Sequence, residues 1–302
     1  MIIPTVDRPE FLGAALRSVL SQTVGDFEVL VIDDGSTTDL LPLLQKFGDD
    51  RIRYFRHESR RGEAAARNLG IRRARGAYLA FLDDDDEWLP EKLRLQLALF
   101  SGCPDTVGCV YGGHVTIRAR DGQELAREVP AKRGDLSNDL LDRNILGPPS
   151  TVMLKRECLE RVGLFDESIA FGVDYDLWLR IAQEYHFDFV PDIVARYTIH
   201  PGQMSNDPFV IARGRADIQR KYAPRLQRSR ERDGRFYFSL GRHLASLGYP
   251  RQARGAFLKS LRLDPLRLRV YIFLALSLAS PRSFSILRRL LGRLRGGASV
   301  DQ

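Results

Sequence analysis

The sequence predicts an α/β fold: a mostly parallel sheet with helices on both faces, followed by an all-helical appendage. Two observations carry this. Through the first hundred residues, short stretches apolar on both faces alternate with amphipathic stretches at helical spacing, the pattern of a sheet buried between helix layers. Past residue 208 the chain turns helical and basic. From Ile211 onward it holds 21 Lys and Arg against 5 Asp and Glu, so the earlier part is acidic although the whole chain carries +7.

The elements follow in order. Residues 1–3 make a short apolar strand that stops at Pro4. Residues 10–22 have helical spacing in Phe11, Leu12, Ala15, Leu16, Val19 and Leu20. A continuous apolar strand over 27–32 precedes a helix over 38–47, a strand over 52–55 and a helix over 62–74. A fourth strand, 77–82, leads to a helix over 90–100. Residues 107–200 mix short strands (107–111, 151–154, 187–190) with a helix over 174–185. We place a catalytic domain at 1–208 and a basic helical region at 209–302.

With 302 residues, 44% hydrophobic and 28% charged, the chain is long enough and apolar enough for a folded core. Its three cysteines form no CxxC pair, which suits free thiols in a reducing compartment. No secretory signal is visible, and the longest apolar run, 270–281, is about half of the roughly 20 residues that span a bilayer. The expected location is therefore the cytoplasm. The basic tail points to an anionic surface, or else forms a solvated Arg-rich helix face. No basic-aromatic reading motif accompanies it, so nucleic acid is not expected as a partner.

In parallel sheets ligands bind beyond the carboxyl ends of the strands, which locates the chemistry before any motif is read. Asp83-Asp84-Asp85-Asp86 follows the fourth strand. Four adjacent carboxylates repel unless a cation or solvent intervenes, and alternate residues of an extended segment address one site. Hard oxygen ligands suit Mg²⁺ or Mn²⁺ bridging diphosphate oxygens; the other reading is an acidic turn before the next helix. After the second strand, Asp33-Asp34-Gly35-Ser36 offers a tight turn and a carboxylate for a base or ribose, or simply a helix cap. Arg67 can neutralise a diphosphate or lie on a helix surface. Asp174 stands near the start of a helix, where it can take a proton from an acceptor hydroxyl. His200, in Tyr197-Thr198-Ile199-His200-Pro201-Gly202, is a candidate to approach the metal or diphosphate.

Taken together these pieces resemble the family-2 glycosyltransferases of GT-A fold, over about residues 1–205. The ordered set runs from Ile2-Ile3-Pro4-Thr5 with Arg8, through Ser18 to Thr23, to Val31-Ile32-Asp33-Asp34-Gly35-Ser36. It continues with Arg61-Gly62, Ala66-Arg67-Asn68, Phe81-Leu82-Asp83-Asp84-Asp85-Asp86 with Trp88 and Pro90, and Gly163 with Phe165-Asp166-Glu167. Asp174-Tyr175-Asp176-Leu177-Trp178-Leu179-Arg180 and Tyr197 to Ser205 close it. The resemblance implies a Rossmann-like nucleotide-diphospho-sugar transferase that works by inversion with Mn²⁺ or Mg²⁺. Pro4, Thr5, Asp7, Arg8, Asp34, Arg67, Asp83 and Asp84 would bind the nucleotide-sugar. Asp85 and His200 would hold the metal, and Asp174 would be the base. The acceptor would be a glycan or lipid-linked hydroxyl in cell-surface polysaccharide or glycoconjugate assembly. The sequence departs from the family at Val173, where Glu usually precedes the base, and its first strand starts some residues short, which suggests that the true start lies upstream or that the strand is clipped.

In the tail, Tyr237, Leu240, Gly241, Leu244, Ala253, Phe257, Ser260 and Pro265 match one tetratricopeptide-like hairpin, about residues 235–268. The apolar stretch after it is followed by Arg282, Arg288, Arg289, Arg293 and Arg295. This pattern fits either a peripheral contact with the cytoplasmic face of an inner membrane or a core helix pair with exposed arginines. Two other functions compete with the transferase reading. One is a non-catalytic adaptor on a decayed transferase scaffold, which the intact acidic residues oppose. The other is a sugar-phosphate nucleotidyltransferase, whose Gly-rich, basic opening loop is absent.

Overall fold

The computed structural model describes residues 1–222, 230–246 and 249–278. The chain forms two compact units, one of residues 1–169 with 173–200, the other of 170–172 with the chain from 201.

The first unit opens with β1 (Ile2–Thr5), α1 (Pro9–Leu20), β2 (Val29–Asp33), α2 (Leu41–Phe47), β3 (Ile52–Arg56), α3 (Glu63–Arg73) and β4 (Tyr78–Ala80). Every residue of β2 is buried, as befits a strand covered on both faces. Helix α1 starts with Pro at its first position and buries Leu12, Ala15, Leu16 and Val19, spaced to lie on one face. These side chains pack with Ile3, Val29, Val31, Leu82, Trp88 and Phe100 in the main core.

There follow β5 (Glu87–Trp88), α4 (Lys92–Gly102), β6 (Val107–Arg118), β7 (Glu124–Glu128), α5 (Ser137–Asp142), β8 (Met153–Lys155), α6 (Arg156–Val162), α7 (Val173–Ile181) and β9 (His186–Ile199). Strands β1, β2 and β3 are parallel in the order β1-β2-β3. A parallel bridge from Ile2 to Phe81 links them to the order β4-β8-β6-β9-β5, with β7 on β6. In this second half β8 is antiparallel to β4 and β6, and β5 to β9, while β6 and β9 are parallel. The α/β class is as read, and the sheet's far half is mixed.

Strands β6 and β9 are much longer than the runs 107–111 and 187–190. Gly112-Gly113 and Pro191 look like strand ends in the sequence, yet they fall at a register shift inside the ladder. A Cβ on Gly112 would stand 2.6 Å from Val194 Cγ2, so the missing side chain lets the two strands close. The extension carries β9 on to Ile199 and delivers His200 to the site.

The second unit contains α8 (Pro208–Tyr222), α9 (Arg230–Ser246), α10 (Pro250–Leu263) and α11 (Leu268–Leu278). Leu240, Leu244, Ala253, Phe257 and Val270 form its core, and the Phe238, Phe257 and Phe273 rings lie 5.2–6.1 Å apart. Ser260 donates to the Gly234 carbonyl at 2.6 Å. Arg282, Arg288, Arg289, Arg293 and Arg295 lie outside the described residues. Among the described residues no helix is long and apolar enough to cross a membrane.

Candidate active site

Parallel register sets Thr5 level with Asp33, so the loops after β1 and β2 leave the sheet side by side, and the aspartate run leaves beyond β4. Thr5 Oγ1 donates to Asp84 Oδ2 at 2.7 Å. Arg8 Nη1 donates to Asp84 Oδ1 and Asp85 Oδ2, both at 3.0 Å. His200, immediately after β9, places Nε2 2.9 Å from Asp85 Oδ2, and its ring stacks 4.7 Å from Phe11. Residues far apart in the chain therefore meet at Asp85, whose side chain is 10% exposed beside a His200 that is 9% exposed.

The four aspartates have different partners. Asp83 receives Arg67 Nη2. Asp84 is held by Thr5 and Arg8, and Asp85 by Arg8 and His200. Asp86 is fully buried, accepting from Ser150 Oγ at 2.5 Å and the Thr198 N–H at 3.0 Å. Burial is the main force raising the pKa values of Asp83, Asp84 and Asp86, opposed by Arg67 at Asp83, by Arg8 at Asp84 and by the Ser150 and Thr198 hydrogen bonds at Asp86. Asp83 rises to about 7 and Asp84 to about 6, and Asp86 stands well above the ordinary carboxylate range. Ser150 also accepts from the Asp83 N–H at 3.2 Å, and its carbonyl receives Trp88 Nε1 at 2.7 Å. The loop before β8 thus braces the acidic run from below.

Arg67 is 1% exposed on α3 and bridges Glu63, one helical turn back, to Asp83. Its guanidinium lies over Phe165, 5.4 Å from the ring centroid. Burial opposes its charge, yet the two carboxylates raise its pKa above the usual value. Asp174, in the first turn of α7, feels the same cluster. Burial and the Glu63 carboxylate raise its pKa to about 6, and Arg67 pulls the other way. Asn144 Nδ2 donates to Asp174 Oδ2 at 3.3 Å. Val173, which precedes it, is buried.

The other expected binding residues build the rim. Asp7, with a left-handed φ of 51°, accepts from the Thr37 N–H and hydroxyl and the Thr38 N–H at 2.8–2.9 Å, which lowers its pKa. Asp34 accepts from the Arg61 and Gly62 N–H groups at 2.9 and 2.7 Å and contacts His57 Nδ1 at 2.8 Å, fixing the loop that begins α3. Pro4 is half-buried within β1, paired with Ile32. Asn68 is buried and exchanges hydrogen bonds with Phe165, tying α3 to the segment after α6.

Glu63, His57 and Asn144 went unnoticed in the sequence, and so did the brace made by Ser150, whose Gly147-Pro148-Pro149-Ser150 loop reads there only as a candidate border of an acceptor site. Glu63 alone had a local signal, its i,i+4 spacing from Arg67. The others are defined by contacts of 23 to 67 residues' separation.

Among the described residues no three His, Cys, Asp or Glu side chains cluster tightly enough to hold an ion unaided. Asp85 and His200 nevertheless offer an oxygen and an imidazole nitrogen at one point, a donor set that suits Mn²⁺ or Mg²⁺ when phosphate oxygens and water complete the shell.

Known proteins resemble this chain in sequence and fold. It is 36% identical over 186 residues to an uncharacterized glycosyltransferase of Rickettsia bellii, matching 60% of this chain and 26% of that protein. The chain thus spans about a quarter of that relative's length. It is 28% identical over 220 residues to the Escherichia coli UDP-Glc:alpha-D-GlcNAc-diphosphoundecaprenol beta-1,3-glucosyltransferase WfgD, matching 72% of this chain and 83% of that one. The structure of mannosyltransferase PcManGT from Pyrobaculum calidifontis, in complex with GDP-Man and Mn²⁺, superposes with a TM-score of 0.59 at 18% identity, covering 99% of this chain and 87% of that one. That likeness establishes the GT-A fold. Residues 1–163, more than half of the chain and all of the acidic run, match the profile of glycosyl transferase family 2, and the chain belongs to that family.

Proposed function

We propose that the chain moves a sugar from a nucleotide-diphosphate donor to an acceptor hydroxyl, with inversion and in a single displacement. One observation carries the reading: carboxylates from distant stretches converge. Asp84 and Asp85 meet Thr5, Arg8 and His200, while Asp83 is joined through Arg67 to the surroundings of Asp174.

Asp174 is the base. With a pKa near 6 it is mostly ionised at neutral pH, yet basic enough to take the acceptor hydroxyl's proton. As that proton passes to Asp174, the acceptor oxygen bonds to the anomeric carbon, and the bond from that carbon to the diphosphate breaks on the opposite face. The transition state has oxocarbenium character. Thr5 and Arg8 hold Asp84 and Asp85 in place, and Arg8, 30% exposed, keeps part of its guanidinium for the leaving diphosphate. Asp85 and His200 would hold Mn²⁺ or Mg²⁺, which when bound draws charge from that diphosphate. Asp34 and Asp7 fix the rim against which the nucleoside lies.

The acceptor we infer is glycan or lipid-linked, in cell-surface polysaccharide or glycoconjugate assembly. The name of WfgD, a lipid-diphosphate acceptor glucosyltransferase, supports this. Residues 279–302 carry five arginines against one aspartate, and Leu266, Leu268, Tyr271 and Ile272 are exposed just before them. This combination favours a peripheral contact with an anionic bilayer at the cytoplasmic face of the inner membrane.

Calorimetric titration of UDP-glucose and GDP-mannose, with Mn²⁺ and then with EDTA, tests the reading. We expect one donor to bind only with metal, and Asp85→Ala to remove the metal-dependent part. Equal affinity in both buffers for the wild type and the variant refutes the ligand role.

A further inference from the structure

We propose that Glu63 makes this site select an uncharged donor sugar and exclude donors whose sugar carries a carboxylate. The inference rests on the sugar-transfer reading above and narrows its substrate class.

The donor's sugar must lie between the diphosphate, near Asp83 to Asp85, and the base at Asp174, because the base has to reach the nucleophile at the anomeric carbon. Among the described residues, the charged side chains that act on one another there include Glu63, Arg67, Asp83 and Asp174. Three are carboxylates and one is a guanidinium.

A sugar carboxylate would need a free cation. Arg67 is the cation ion-paired to this group among the described residues, and both of its terminal nitrogens are taken, Nη1 by Glu63 and Nη2 by Asp83. Its Nε is enclosed, without a hydrogen-bond partner, in a side chain that is 1% exposed. A uronate would therefore meet carboxylates and a guanidinium that is 1% exposed and already ion-paired to two of them. A sugar hydroxyl meets the opposite situation. Glu63 is 39% exposed, and among the described residues its Oε2 accepts no protein hydrogen bond, so it is ready to receive one from the sugar. Asp83, 26% exposed, is a second acceptor. Like charges forced together at a recognition surface suppress the wrong partner strongly, whereas hydroxyls are welcomed by carboxylate acceptors.

The test compares dissociation constants, with Mn²⁺ present, for UDP-glucose against UDP-glucuronate and for GDP-mannose against GDP-mannuronate. UDP and GDP alone serve as references. In the wild type we expect the neutral member of the pair that binds to win by at least about tenfold. Glu63→Gln, which removes one carboxylate charge while keeping an acceptor for Arg67 Nη1, should narrow that ratio by several-fold. A wild-type enzyme that binds the uronate as tightly as the neutral donor overturns the proposal without any variant. A ratio unmoved by Glu63→Gln overturns the assignment to Glu63. Failure of every nucleotide and nucleotide-sugar to bind strikes instead at the sugar-transfer reading.

Discussion

Replacing Asp174 by Asn should abolish turnover and, above pH 6, make the protein more stable. Burial and the nearby Glu63 carboxylate raise the Asp174 pKa from 3.8 to about 6, against the pull of Arg67. A carboxyl that binds its proton more tightly when folded loses stability as it ionises. Between pH of about 4 and 6 the folded chain holds more protons than the unfolded one, so stability falls as pH rises; above about 6 the whole penalty is present. A shift of about two pH units corresponds to ~3 kcal/mol. Solvent reaching this half-buried group reduces that to about 1–3 kcal/mol. Asn cannot ionise, so urea unfolding should find the variant more stable by this amount at pH 8 and level with the wild type near pH 3.5. Wild-type kcat should be half-maximal near pH 6 and about tenfold lower at pH 5, following the ionised fraction of the base. Transfer from a radiolabelled donor measures it. A variant that is less stable at pH 8, or a wild-type kcat that is flat from pH 5 to 7, would refute the assignment of Asp174.

Other outcomes follow from the same contacts. Ser150→Ala takes a hydroxyl from buried Asp86 and from the Asp83 N–H, and should cost about 1–3 kcal/mol in a chemical denaturation experiment; an unmoved midpoint would show the brace to be idle. Gly35 has φ of +78°, and a Cβ there would stand 2.6 Å from the Arg60 nitrogen. Gly35→Ala should therefore destabilise by about 1–3 kcal/mol and weaken nucleotide binding, and a variant with wild-type values for both would contradict it. Truncation after Leu278 keeps α11, whose Val270 is fully buried, and removes five arginines. Co-sedimentation with phosphatidylglycerol vesicles should fall sharply, and undiminished binding would relieve the tail of that role.

The first elements were legible because β2 is apolar on both faces and α1 buries a regular stripe, whereas the two-residue β5 is too short to leave a pattern. Strand direction in the second half was not legible, since alternating burial says nothing about which way a neighbour runs. Strands β6 and β9 were cut short because Gly112-Gly113 and Pro191 are locally indistinguishable from strand ends; only the opposing strand reveals them as a tolerated irregularity. At the site, Asp83 to Asp86 stood out as a group, but nothing local told which carboxylate would turn to Arg67, which to Thr5, and which to Ser150. Asp34 was visible as a turn residue, whereas its bonds to the Arg61 and Gly62 N–H groups depend on a loop that β3 places beside it.

The unequal employment of those four neighbours has a practical consequence. Saturation mutagenesis across them, scored separately for soluble yield and for product formed, should give a sawtooth instead of a plateau. Substitutions at Asp86 would empty the soluble fraction because three chain segments come apart with it. One position earlier, at Asp85, well-behaved protein would accumulate that has lost its chemistry. A single residue thus separates an architectural fault from a functional one, and a substitution found anywhere in this run has to be interpreted by its position, since the amino acid itself carries no such information.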